Sequence, residues 1–313
     1  MPGLLRVRSR RGAYAALVVL TAVWGSNWIA MKLALAHAHP VIYNLQRTWV
    51  AIAVLFAVLV WRRRRLALPE SWIAVIVTGL FQTTINFGAT TMALSGGGAG
   101  RTSVLVFTMP FWTLLLAWPV LGERVRGAQW LAIVLAVAGL TLVIEPWNWS
   151  GDLTPKLWAV LSGFGWAAGT IATKHFQGER GLDMLNLIAW QMLLGVLPLC
   201  VLPAVLPLPA VDWTISYAAL LLWTGAVSTA SGFLLWIAVL RFLPAGTASL
   251  NMLAIPVIAL VTSMAIFGER LTLAEWTGIA LIGAGLAVIS LRAWRGSGRG
   301  EAVVVAPTPL DGG

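Results

Sequence analysis

Arg47 is the side chain best placed to bind a ligand, because it is a cation inside a long apolar run. It stands in "YNLQRTWVA", within the apolar stretch 41–61. About six residues of helix place it roughly 9 Å inside the end of that stretch, which is too deep for an ordinary loop charge. Its planar guanidinium binds a carboxylate or a phosphate through two parallel hydrogen bonds. The alternative is a structural arginine that bonds backbone carbonyls or extends toward the membrane surface.

Two groups of polar and aromatic side chains accompany this cation. Trp24, Asn27 and Trp28 are spaced i, i+3, i+4 and therefore share one helix face. Aromatic rings beside an amide suit an organic solute with apolar and polar parts, although tryptophan is also common at membrane interfaces. Gln82 and Asn86 form a similar i, i+4 stripe, which predicts either cavity lining or hydrogen bonds between helices.

The second half of the chain has matching positions. Trp166 lies 142 positions after Trp24, and Gln191 lies 144 positions after Arg47. Because the cation has no charged counterpart, we expect recognition of substrate charge to be asymmetric. Trp190 and Asn251 are further candidates for substrate binding. Arg101 is a candidate for a gate, because it follows the glycine run "SGGGAG", in which the backbone can bend.

The acidic residues limit the chemistry that the chain can perform. All eleven Asp and Glu lie in loops, in the C-terminal tail or within a turn or two of the ends of the apolar stretches. A proton relay or an intramembrane metalloenzyme needs carboxylates or histidines at membrane depth. The single cysteine, Cys200, allows no disulfide framework, and no Walker A motif for ATP is present. We therefore predict no catalytic residue, no metal and no cofactor.

Membrane helices must position these side chains. The chain of 313 residues is 59% hydrophobic and only 10% charged, with a mean hydropathy of +0.86, whereas soluble domains carry about 25% charged residues. The net charge of +10 is divided among short clusters, so no nucleic-acid partner is expected. A spanning helix needs about 20 apolar residues. Ten stretches qualify: 13–35, 41–61, 71–94, 98–121, 127–146, 156–176, 183–206, 214–240, 245–267 and 274–292.

Lysine and arginine predict how these spans are oriented. With the N-terminus in the cytoplasm, sixteen of the 21 Lys and Arg residues fall on cytoplasmic segments. Four lie at outer ends of spans, and Arg47 lies within a span. This bias places both termini in the cytoplasm. We interpret residues 1–12 as a basic cytoplasmic N-terminus rather than a signal peptide, and 293–313 as a disordered cytoplasmic tail.

The chain contains a long internal repeat. Gly-Glu-Arg occurs at 122–124 and again at 268–270, and "AGRTSVLVFTMP" aligns with "AGTASLNMLAIP" at the same offset of 146. We expect one five-helix repeat over 13–146, an outer linker over 147–155 and a second repeat over 156–292. Because five is odd, the second repeat enters the membrane from the opposite side. Inverted repeats are typical of alternating-access transporters; the alternative is duplication for packing alone.

These features together resemble the drug/metabolite transporter superfamily, in its EamA-type branch. The resemblance covers about residues 13–292 and includes the mid-span Pro110 and Pro256 and "WGSNWIAMK" in the first span. It implies a bacterial inner-membrane carrier, usually an exporter of amino acids or related metabolites. It also implies a cavity lined by spans 1–4 and 6–9, with spans 5 and 10 at the periphery or at a dimer contact.

Several functions compete with the export of a small carboxylate. A sugar-phosphate or nucleotide-sugar carrier of the same superfamily favours more than one deep cation. Coupled drug exporters among the smaller relatives have a glutamate in their first span, which this chain lacks. An intramembrane enzyme needs the acidic cluster that is missing. The expected partners are therefore a small-molecule substrate and the lipid bilayer, for a monomer or a homodimer.

Overall fold

The computed structural model describes residues 10–61, 71–125, 127–147, 152–180, 183–240, 242–243 and 252–297. In this part of the chain the regular structure consists of ten long helices. They are α1 (Arg10–Ala34), α2 (Pro40–Trp61), α3 (Trp72–Gly96), α4 (Ala99–Leu121), α5 (Ala128–Ile144), α6 (Thr154–Arg180), α7 (Met184–Val205), α8 (Ile215–Val239), α9 (Ala254–Phe267) and α10 (Leu273–Ser297).

The lengths and compositions of these helices fit a membrane protein. Seven of them are long and apolar enough to cross a bilayer, and α5 and α9 are shorter apolar helices. The tenth helix, α6, has 27 residues and polar residues at both ends, which lower its average hydropathy. The prediction of an all-α protein with ten spans is confirmed.

The packing of the helices follows the internal repeat. In the first repeat, α1 packs against α8 and α9, while its counterpart α6 packs against α3 and α4. Likewise α2 packs against α8, and α7 packs against α3. The remaining large contacts join counterparts directly, as in α2 with α7, α4 with α9 and α5 with α10. The two repeats therefore interlock around a pseudo-twofold axis instead of lying side by side.

The repeat is inverted. Glu269, at the end of α9, lies beside Arg101 at the start of α4, whereas its counterpart Glu123 lies beside Lys174 near the end of α6. These two sites are at opposite ends of the helices, and we refer to them as the Arg101 face and the Lys174 face. One sequence motif therefore serves both sides of the molecule.

The glycine of the repeated Gly-Glu-Arg motif ends a helix in each repeat. Gly122 follows α4 with φ of 70°, and Gly268 follows α9 with φ of 63°. This left-handed conformation is strained for residues with a Cβ atom, so glycine is favoured after a helix end. The backbone requirement gives this part of the motif a structural role.

Both repeats contain a π-helical segment at the same place. Leu80–Ile85 is π-helical within α3, and Trp223–Ser231 is π-helical within α8. The two segments end 146 positions apart, at the offset of the repeat. In α8 the hydroxyls of Thr229 and Ser231 donate to carbonyls five residues earlier, which fits the wider turn. π-helical turns are frequent at functional sites.

Candidate functional site

A cavity of about 120 Å³ lies among α1, α2, α3, α4, α6, α8 and the start of α9. Its lining is mainly aromatic and aliphatic, with a few polar groups. The lining residues are Trp24, Asn27, Trp28, Met31, Arg47, Asn86, Phe87, Thr90, Val106, Phe107, Met109, Trp166, Ser228, Thr229, Phe233, Met252 and Ile255. This combination is typical of small-molecule sites.

Arg47 is the charged group of this cavity, and it is almost fully buried at 3% exposure. Its Nη1 donates to the sulfur of Met31 at 2.8 Å, and its guanidinium carbon lies 4.5 Å from the centroid of the Phe87 ring. The Nε atom has no hydrogen-bond partner among the residues that the structure describes. The hydroxyl of Tyr43, one turn earlier, is close to the guanidinium without hydrogen-bond geometry.

No carboxylate compensates the charge of Arg47 within the described residues. The ion pairs there join Asp212 to His37, Glu123 to Lys174, and two glutamates to Arg101. No backbone carbonyl of the described chain accepts a hydrogen bond from Arg47 either, which was one form of the structural alternative. A thioether and an aromatic face are weak partners for a buried cation. The site therefore has N–H donors and one positive charge to offer a ligand.

Tryptophan and phenylalanine form the wall of the cavity. Trp24 donates from Nε1 to the Ser228 carbonyl at 3.0 Å, which ties α1 to the π-helical segment of α8. Trp166 stacks on Phe233 with ring centroids 5.8 Å apart, and Trp24 meets the same ring edge-on at 6.4 Å. These contacts hold the rings in fixed orientations around the space.

The polar side chains of the cavity differ in how far they are already paired. Asn86 donates from Nδ2 to the Ser162 carbonyl and hydroxyl, both at 2.9 Å, and Thr90 shares a hydrogen bond with that hydroxyl at 2.6 Å. Asn86 therefore lines the cavity and also joins α3 to α6. The oxygen of Asn27 is buried and has no hydrogen-bond partner within the described residues, and Asn27 lines the cavity.

Three predicted binding residues lie outside the cavity lining. Gln191 donates to Gln82 at 3.3 Å, and Gln82 donates to Thr170 at 3.4 Å, so these amides join α7, α3 and α6. Trp190 packs edge-on against the rings of Phe56 and Trp72. A fourth predicted residue, Asn251, lies outside the described residues.

Arg101 lies at the centre of a charge cluster on its own face of the molecule. Its Nε donates to Glu269 at 3.1 Å, its Nη1 donates to Glu275 at 2.8 Å, and its Nη2 donates to the Arg270 carbonyl at 3.2 Å. Glu269 also accepts from the backbone N–H of Gly100 and of Arg101, which stabilises the start of α4. The cluster joins α4 to the loop between α9 and α10.

Lys32 closes the same face beside that cluster. Its ammonium donates to the carbonyls of Leu94 at 2.5 Å and Gly97 at 2.8 Å, where α3 ends. Lys32 therefore joins α1 to the end of α3.

Sequence reasoning missed most of the apolar lining. Met31, Val106, Phe107 and Met252 are ordinary residues of apolar runs, and nothing in their type or spacing distinguishes them. One signal was available, because Phe87 and Phe233 are 146 positions apart and both contact the cavity.

Known proteins resemble this chain over most of its length. A model of the EamA-like transporter family matches residues 11–145 and again residues 154–291. The "Uncharacterized transporter YoaV" of Bacillus subtilis is 25% identical over 276 residues, which are 86% of this chain and 94% of that protein. A "Probable amino-acid metabolite efflux pump" of Escherichia coli is 28% identical over 305 residues, which are 92% and 97% of the two chains.

A solved crystal structure has the same fold. It superposes with a TM-score of 0.63 at 19% identity and covers 92% of this chain and 100% of its own. The family model alone accounts for both repeats and therefore for the greater part of the sequence. This chain thus belongs to the EamA-like transporter family and is a multi-pass membrane transporter.

Proposed function

We propose that this transporter exports small metabolites bearing a carboxylate, amino acids and related compounds among them, with Arg47 as the residue that binds the carboxylate. The observation that carries the proposal is the burial of Arg47 without a counter-charge in the described chain. An unpaired charge in a protein interior is strongly unfavourable. A carboxylate in the cavity would supply the missing charge and accept a hydrogen bond from Nε.

The direction of transport is proposed from the relatives. Proteins of Escherichia coli and Salmonella typhimurium that carry the name "Probable amino-acid metabolite efflux pump" are both 28% identical to this chain. Phosphorylated sugars are less well supported, because Arg47 is the one cation among the described lining residues. Cationic drugs are disfavoured as well, since they would meet the like charge of Arg47 in the cavity.

We further propose that transport proceeds by alternating access, with the Arg101 face outside and both termini in the cytoplasm of a bacterium. Inverted repeats can exchange conformations and open one face at a time. In this arrangement the cluster of Arg101, Glu269 and Glu275 holds the outer side closed. Opening would require these contacts to separate while contacts on the Lys174 face form.

Counterflow in proteoliposomes tests the proposed function directly. The purified protein is reconstituted, loaded with an unlabelled mixture of amino acids and small carboxylates, and supplied with each labelled compound outside. We expect transient accumulation of at least one carboxylate by the native protein and its loss in Arg47→Gln. Recovery of chemically altered compound would indicate an enzyme instead, and accumulation that is insensitive to Arg47 would place the site elsewhere.

A further inference from the structure

The cavity has an unbalanced charge. Arg47 contributes one positive charge, and none of the described lining residues is aspartate or glutamate. A substrate with a single negative charge balances this site. A zwitterionic amino acid does not, because it brings a second cation into the same low-dielectric space.

The neutral partner for a second polar group is the amide of Asn27. Asn27 and Met31 lie four residues apart on α1, about 6 Å along the axis, and Met31 contacts the Arg47 guanidinium. A substrate whose carboxylate sits on Arg47 can therefore place a neighbouring substituent against Asn27. The side chain of Asn27 forms no hydrogen bond within the described chain, and its oxygen is buried.

A hydroxyl suits this amide better than an ammonium does. A hydroxyl donates and accepts, so it pairs with the oxygen or with the NH₂ group of Asn27. An ammonium has three N–H donors and no acceptor, and the oxygen of Asn27 can satisfy only part of them. Burying an incompletely paired charged group is more unfavourable than burying a hydroxyl that has its partner.

The size and surface of the cavity limit the rest of the substrate. Its volume of about 120 Å³ is somewhat below the roughly 150 Å³ of an apolar protein cavity that holds benzene. The rings of Trp24, Trp28 and Phe233 and the side chain of Met31 provide the apolar wall. A short branched or small cyclic body fits this space.

We infer that the preferred substrates are short apolar 2-hydroxy acids, and that amino acids with the same carbon skeleton are transported less well. The inference rests on the proposed role of Arg47 in binding the carboxylate. It adds that Asn27 contacts the substituent at C2 of the substrate and favours a neutral hydroxyl over a charged ammonium.

Two isosteric compounds test this selectivity. 2-Hydroxyisovalerate and valine differ only in a hydroxyl in place of an ammonium. Both are used in proteoliposome counterflow, and each also competes against the other in labelled form. We expect 2-hydroxyisovalerate to be transported with a kcat/KM about tenfold higher or more, the factor that corresponds to one imperfectly paired group.

A negative charge placed at position 27 should remove most of the preference. Asn27→Asp supplies a carboxylate for the ammonium of valine and gives the hydroxyl of 2-hydroxyisovalerate no such advantage, so the ratio of the two kcat/KM values should move toward valine by about tenfold. Ser26→Asp is the matched control. Ser26 lies at nearly the same depth outside the cavity lining and donates to the Val23 carbonyl, so this variant should keep the native ratio.

The outcomes separate this inference from the proposed function. One outcome is that valine is transported as well as 2-hydroxyisovalerate or better, while Arg47→Gln abolishes transport of both. That result overturns the selectivity and keeps Arg47 as the carboxylate-binding residue. Transport of neither compound overturns this inference, whereas the proposed function is overturned only if no carboxylate of the wider mixture is transported. If Asn27→Asp does not assemble, Asn27→Leu tests the same contact, because it should lower kcat/KM for 2-hydroxyisovalerate about tenfold and leave kcat/KM for isovalerate, which has no second substituent, unchanged. An equal effect on both compounds overturns the role of Asn27.

Discussion

The Nε of Arg101 lies 3.1 Å from a carboxylate oxygen of Glu269 and so joins the start of α4 to the end of α9. The counterpart of Glu269 in the first repeat is Glu123, which pairs with Lys174 on the opposite face. The two pairs differ in burial, since the side chain of Glu269 is 4% exposed and that of Glu123 is 52% exposed. The repeats therefore hold their two faces with different strength.

Arg101→Thr should loosen the Arg101 face, because threonine is the residue that the repeat has at the matching position 247. The change leaves Glu269 and Glu275 without their strongest partner, and charge-assisted hydrogen bonds contribute about 1.5–3 kcal/mol each. In a Cys200→Ser background, maleimide labelling of Val106→Cys in the cavity should become roughly tenfold faster.

The control for this variant is Arg270→Thr. Arg270 lies in the same loop, and its side chain is exposed and forms no ion pair in the described chain, so labelling should stay at the native rate. Unchanged labelling in Arg101→Thr would contradict a closing role for the cluster.

The proposed orientation predicts where tags will be found. Reporters fused to either terminus should respond as cytoplasmic, and a reporter inserted between residues 147 and 154 should respond as periplasmic. The reason is that sixteen Lys and Arg residues lie on the segments assigned to the cytoplasm and only four at the outer ends of spans. A periplasmic C-terminus would contradict both the orientation and the even number of spans.

Transport should not require proton movement. The described lining of the cavity contains no carboxylate and no histidine, the groups that usually carry protons at membrane depth. We therefore expect substrate to move down its own gradient or by exchange. A pH-sensitive dye inside the liposomes checks this, and acidification or alkalinisation at a fixed ratio to substrate would refute it.

Glycine should be essential where α8 crosses α2. A Cβ atom on Gly225 would lie 2.7 Å from the Arg47 carbonyl, and one on Gly79 in the other repeat would lie 2.5 Å from the Gln191 carbonyl. A backbone oxygen cannot move aside alone, so Gly225→Ala should push α2 away and displace Arg47. Crowding of this kind typically destabilises by about 1–3 kcal/mol.

The matched control is Gly88→Ala in α3. A Cβ atom there meets only the side chain of Leu199 at 3.6 Å, and alanine favours the helix over glycine. Melting temperature and substrate affinity should both fall in Gly225→Ala and should be retained in Gly88→Ala. Equal behaviour of the two variants would argue against a tight crossing.

Much of the site could be predicted because polar and aromatic side chains stand out in an apolar helix. Arg47, Asn27 and Trp24 were found in this way, and helical spacing gave their common faces. The same spacing placed Gln82 with Asn86, and both amides bond to α6, at Thr170 and at Ser162. Only Asn86 lines the cavity, because Gln82 lies one turn away and also bonds to Gln191 of α7.

Other features could not be read from the sequence. The pairing of Arg101 with Glu269 joins residues 168 positions apart and depends on how two repeats interlock. The apolar lining shares its composition with every lipid-facing surface of the protein. Local pattern predicted the elements and their order, whereas the contacts between elements needed the packed structure.

The proposed role of Arg47 gives the sharpest test. Arg47→Gln should weaken the affinity for a carboxylate substrate by roughly ten- to a hundredfold, because a charge-assisted pair contributes about 1.5–3 kcal/mol. The methyl ester of the same substrate lacks the charge and should lose little. Arg47→Lys should restore only part of the affinity, since a point charge replaces a planar fork.

A purely structural Arg47 would behave differently in the same assay. Its replacement would lower yield and melting temperature and would weaken acid and ester alike, since the guanidinium would then act by holding α2 against Met31 and Phe87. Affinities of both ligands measured on the purified variants, beside their melting temperatures, distinguish the two roles. A selective loss of the acid at unchanged stability is the expected result, because Arg47 lines the cavity and no carboxylate of the described chain balances its charge.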